Sequence, residues 1–134
     1  MKRLHYIVGL LGVLAFVLSG QAMRFHKPAM KSLEAGAHMM YVSWHIYILG
    51  GALVNVMLGL YLRMESRGWR RNLQSVGSVM LLLSPILLTL AFLQEPEMGM
   101  AGRSGRSARS AFGLFTLLGG TVAHFAAKLG LKAN

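Results

Sequence analysis

Polar and apolar residues are segregated along this chain rather than interleaved. Four runs without a single formal charge, 4–23, 39–62, 73–93 and 111–127, alternate with short segments that hold every Lys, Arg and Glu. Each run approaches the ~20 residues a helix needs to cross a ~30 Å hydrocarbon layer. The pattern predicts an all-α protein, an integral membrane four-helix bundle with helices at 4–23, 35–62, 73–93 and 110–128 in one transmembrane domain over 1–134. The second helix is expected to start before its apolar run, with Ser32 in Ser32-Leu33-Glu34 as its N-cap. In the third run Ser84-Pro85 interrupts the apolar stretch. Proline lacks the N–H of one helical hydrogen bond, so a kink is expected near 81–85. The stretch 95–110, with Pro96, Gly99, Gly102 and Gly105, reads as a loop whose Gly-Arg-Ser repeats are low in complexity. No structural repeat relates the two halves, which argues against a transporter built by duplication.

Composition agrees with that pattern. Hydrophobic residues make up 54% and charged residues 13% of the chain, with a mean hydropathy of +0.51. Soluble domains carry about 25% charged residues. The net charge of +10 does not indicate nucleic acid: the basic residues flank the apolar runs, and no aromatic-interleaved basic patch accompanies them. They fit headgroup contact and topology signalling instead. With the N-terminus inside, Lys2, Arg3, Arg63, Arg67, Arg70, Arg71, Lys128 and Lys132 share one side. Arg24, Lys27, Lys31, Arg103, Arg106 and Arg109 share the other. The four arginines packed into 63–71, with Tyr61 and Trp69 beside them, favour that side as cytoplasmic. Tyr41, Trp44 and Tyr47 mark the opposite surface. Both termini are therefore expected in the cytoplasm. The chain has the general look of small bacterial inner-membrane proteins, a likeness that implies a location and no activity.

Two readings compete for the first run. Lys2-Arg3 followed by 7–18 and the small residues of Ser19-Gly20-Gln21-Ala22 resemble a secretory signal. The apolar character, however, continues to Met23 and Arg24 closes the run, so a retained helix that completes an even bundle is the expectation. With no cysteine in the chain, disulfides, thiolate metal sites and Cys nucleophiles are excluded.

In lipid, helices associate through small residues and polar contacts, so stripes of such residues mark inner faces. His38, His45, Ala52 and Gly59 recur every seven residues, with Tyr41 and Asn55 on the same flank. The fourth helix offers Gly113, Thr116, Gly120 and His124, the third Gln74, Ser75, Gly77 and Ser78, and the first Gly9, Gly12, Ser19 and Gly20. Most of this is what close packing requires.

Histidines within apolar spans raise functional hypotheses. The best specific expectation is a haem b- or redox-associated membrane component with His45 and His124 as axial ligands and His38 as a further cofactor-binding candidate. Depth counts against the pair: on a 1.5 Å rise, His45 lies about 9 Å and His124 about 20 Å from the outer end of their spans. A copper-handling alternative rests on His26, His38, Met39 and Met40 as metal ligands. Met23, Met30, Met98 and Met100 fall on the same side, and thioether with imidazole suits Cu(I). His38, Tyr41 and His45 also form a polar entry suited to a proton or quinone role. The four carboxylates, Glu34, Glu65, Glu95 and Glu97, lie in or beside loops, and no nucleophile–base constellation is present, so no catalytic residues are assigned and an enzyme is not expected. The chief alternative is a non-enzymatic accessory or assembly subunit. Its expected partners are the lipid bilayer and other membrane subunits or a second copy of the chain, not nucleic acid.

Overall fold

The computed structural model describes residues 1–65, 68–94 and 108–129. Arg67, Lys132 and the features placed on 95–107 (Glu95, Glu97, Met98, Met100, Arg103 and Arg106) lie outside the described residues. The described chain is all-helical. Helix α1 spans Lys2–Arg24, α2 Ala35–Tyr61, α3 Trp69–Gln94 and α4 Ala108–Leu129, with a single 3-10 turn at Met30–Ser32. Each of the four is long and apolar enough to cross a membrane.

The helix ends differ from the apolar runs for local reasons. Ser32 does not cap α2: its hydroxyl donates backward to Ala29 O at 2.7 Å, within the 3-10 turn. Glu34 is the N-cap residue and makes no side-chain capping bond. Helix α3 starts at Trp69, ahead of its apolar run, because Gly68 at φ 83° turns the chain there. Only glycine reaches that left-handed backbone without steric cost.

Successive helices run antiparallel. His5 meets Asn55, Ser19 meets His45, Asn55 meets Leu81, and Ser78 meets His124. Helices α2 and α3 form the middle. Helix α1 packs along α2 and also touches α3; α4 packs along α3 and barely reaches α2. The start of α1, the end of α2, the start of α3 and the end of α4 therefore share one end of the molecule, here the terminal end.

Close approach depends on glycine. A Cβ at Gly59 would come within 2.6 Å of the Tyr6 backbone, and one at Gly9 within 2.6 Å of Val56 N. Helices α3 and α4 meet the same way: a Cβ on Gly120 would lie 2.8 Å from Gly77 O. Backbones this near leave no room for a side chain, which is the usual membrane solution to packing without a hydrophobic driving force.

The interior is small and unusually polar. Ile48, Leu81 and Leu88 are fully buried, and so are His5, Asn55, Gln74, Ser78 and Ser84. The outside carries the large apolar side chains, among them Leu11, Leu14 and Leu18 of α1 and Phe112, Phe115 and Phe125 of α4. Patches of that extent do not face water in soluble monomers. The distribution is that of a multi-pass membrane protein.

Candidate functional site

Buried polar groups in hydrocarbon need partners inside the protein, and here several find them across helix boundaries, whereas His5 Nε2 and Trp44 Nε1 have none. Asn55 is the centre. Its Nδ2 donates to Gly51 O at 2.9 Å on its own helix and to Leu81 O at 2.7 Å on α3. Leu81 O is the carbonyl that residue 85 would serve in a regular helix, and Pro85 has no N–H to give. Asn55 supplies the missing donor from the neighbouring helix, and α3 continues through Pro85 to Gln94. Next to the proline, Ser84 Oγ donates to Gly113 O on α4 at 3.0 Å and Thr89 Oγ1 to Pro85 O at 2.7 Å.

With both Nδ2 protons of Asn55 placed, its Oδ1 is the acceptor for His5 Nδ1–H at 2.7 Å. That fixes the His5 tautomer: the proton sits on Nδ1 and Nε2 carries the lone pair. His5 is fully buried, and its Nε2 has no hydrogen-bond partner. Sequence reasoning missed this residue. Two lysine/arginine neighbours, Lys2 and Arg3, disguise it as a flank. The signal was the stripe His5, Gly9, Gly12 and Ser19, all buried on one face of α1.

His45 sits toward the other end of the same α1–α2 seam. Ser19 Oγ donates to Phe16 O at 2.8 Å, so the 2.8 Å contact between Ser19 Oγ and His45 is donated by His45 Nδ1–H. The ring stacks on Phe16 with centroids 4.1 Å apart. His124 belongs to the α3–α4 seam, where its Nε2 hydrogen-bonds Ser78 Oγ at 3.1 Å.

The structure does not bring His45 and His124 together. His124 shares its surroundings with Met57 and Leu58 of α2, about 18 Å along that helix from His45 at 1.5 Å per residue. The imidazole at the level of His124 is His5, which meets Asn55 of α2.

Of the residues expected for copper, His26 is engaged elsewhere and Met39 faces outward. His26 Nδ1–H donates to Pro28 O at 2.8 Å and its Nε2 accepts from Tyr41 Oη at 3.2 Å, so both ring nitrogens are engaged. Met39 is 67% exposed, whereas Met40 and His38 are half-buried. Three consecutive helix positions fan out by ~100° each. Met23 and Met30 instead pack on the cluster of Tyr41, Ile48, Leu88 and Phe92. Among the described residues no three His, Asp or Glu side chains gather closely enough to hold a metal ion. Tyr41, proposed with His38 and His45 as a polar entry, is buried edge-on against His26 and Phe92.

At the terminal end Gln74 organises the short connection between α2 and α3. Its Oε1 accepts from Glu65 N at 2.8 Å, and its Nε2 donates to Arg63 O at 3.4 Å. At the far end Arg109 of α4 donates to Gln94 Oε1 of α3.

No family model matches the chain, and no curated protein or solved structure matches it either.

Proposed function

We propose that this is a non-enzymatic accessory subunit of a larger assembly in a membrane. One observation carries the reading. The three intramembrane imidazoles each bond a polar side chain on an adjacent helix, His5 with Asn55, His45 with Ser19 and His124 with Ser78. Polar groups used this way hold helices in register, which is their commonest use in lipid. The large side chains point outward, where a partner or lipid meets them. The test is purification at native abundance in mild detergent, followed by size analysis and an absorption spectrum. A colourless protein that co-purifies with another membrane protein supports this function. A colourless protein that behaves alone in several mild detergents overturns it.

The haem b reading stands second because of one specific observation. His5 and His45 are both protonated on Nδ1, which leaves Nε2, the atom that ligates iron in many haem proteins, with a lone pair. In His5 that atom is buried and unpartnered. A Soret band in the purified protein that disappears in His5→Ala or His45→Ala would establish it and displace the accessory function. The arrangement favours no single iron shared by His45 and His124. A plasma-membrane location in a bacterium, with both termini cytoplasmic, completes the proposal and rests on the basic cluster around 63–71.

A further inference from the structure

Because α4 leans on α3 and scarcely touches α2, a lateral groove remains between α2 and α4. At the terminal end it is a cleft of about 400 Å³ whose wall includes Tyr61, Arg63, His124 and Lys128. Deeper in the bundle it continues as a cleft of about 300 Å³ reaching Leu53, Leu81 and Thr121. Met57, Leu58, His124 and Phe125 line both, so the two form one continuous groove.

Its chemistry is graded along its length. The deep part is apolar apart from Thr121 and the His124 ring. Among the described residues, the charged ones that line it are Arg63, just past the end of α2, and Lys128 of α4, both cationic and both at the mouth. From Leu53 to Tyr61, the last residue of α2, is eight positions, about 12 Å of helical rise, and Arg63 follows two non-helical positions later. That span approaches half of the ~30 Å hydrocarbon thickness, the depth of one leaflet. A soluble anion would use the rim and leave the floor empty. A zwitterionic lipid would fill the floor but bring no net negative charge to the two cations at the rim.

We infer that the α2–α4 groove is a binding site for one anionic phospholipid of the adjoining leaflet. Arg63 and Lys128 clasp its phosphate, and an acyl chain lies along Met57 and Leu58 toward Leu53. The bound lipid closes the side of the bundle that protein leaves open. The inference requires membrane embedding and is independent of the accessory function.

The experiment is native mass spectrometry of the full chain released from nanodiscs of phosphatidylcholine and phosphatidylglycerol in equal amounts. Three variants accompany the wild type: R63Q/K128Q at the rim, T121W as a plug in the apolar floor, and R24Q/K27Q as an equal loss of charge at the opposite end. The wild type is expected to retain one phosphatidylglycerol in preference to phosphatidylcholine. That preference should fall about thirtyfold in R63Q/K128Q, the product of two basic contacts to an anionic headgroup. It should also fall in T121W and hold in R24Q/K27Q. Circular dichroism confirms helix content. If R63Q/K128Q fails to fold, T121W and the single rim variants decide the matter. Equal preference in wild type and R63Q/K128Q overturns the inference, as does an equal loss in R24Q/K27Q. Displacement of phosphatidylglycerol by millimolar inorganic phosphate would show that the acyl chain is dispensable and overturn it too. A lipid-free dimer that T121W dissociates would assign the groove to a second copy instead.

Discussion

Replacing Asn55 with leucine tests the polar centre directly. The side chains are similar in volume, so packing changes little while three hydrogen bonds vanish. The bond to Gly51 O lies within α2, and that carbonyl is at a regular helical position. The other two cross helices: His5 Nδ1–H loses its acceptor, and Leu81 O loses its only substitute for the absent proline donor. Measured hydrogen bonds between membrane helices average ~0.6 and reach ~1.7 kcal/mol. An orphaned buried group costs about 1–3 kcal/mol in general. With two such groups at a fully buried site, N55L should destabilise by about 2–4 kcal/mol. The assay is equilibrium unfolding in mixed detergent micelles followed by circular dichroism. P85A provides the decisive second variant, because alanine restores an N–H opposite Leu81 O. In the N55L background P85A should recover about 1 kcal/mol, and the double-mutant cycle should show coupling of that order. Loss below about 0.5 kcal/mol in N55L, or purely additive effects of N55L and P85A, would refute the account of Leu81 O.

The α1–α2 contact is sensitive to volume: G59V should cost about 1–3 kcal/mol as overpacking, with Tyr6 as the displaced residue, read by unfolding and by protease access to α1. H45A should remove about 1 kcal/mol from its bond to Ser19 and the Phe16 stack and leave the visible spectrum unchanged. Q74A should loosen the α2–α3 connection, since Glu65 N and Arg63 O both lose a partner. Faster amide exchange at Glu65 with little change in global stability is the expected reading. A reporter fused after Asn134 should register as cytoplasmic; an external signal would reverse the orientation.

The four helices were legible because charge is excluded from each run, a pattern lipid imposes directly. Their ends were less so. Ser32 had the chemistry of an N-cap, yet its hydroxyl found Ala29 O nearer, and Gly68 began α3 before any apolar residue required it. The inner faces were half legible. Gly59, Gly77, Gly120 and Asn55 stood out as small or polar residues at helical spacing, but spacing does not reveal which helices become neighbours. His45 and His124 share a glycine-lined pattern, and attention therefore fell on α2 against α4. Packing put the imidazoles in the α1–α2 and α3–α4 seams and left α2 and α4 apart. Pro85 read as an isolated disturbance because its partner is 30 positions earlier in the chain. His5 was hidden by the basic residues before it.

The bond from Asn55 to Leu81 O also has a bearing on assembly order. Alone in hydrocarbon, α3 would present a bare carbonyl above Pro85, at a cost of several kcal/mol. No other residue of the described chain supplies that donor. The third helix therefore enters lipid most favourably as a hairpin with the second already alongside, which the short connection held by Gln74 permits. Biogenesis of this protein is then expected to proceed by helix pairs. A nascent chain in which α2 is scrambled should leave α3 stalled at the interface while α1 inserts normally.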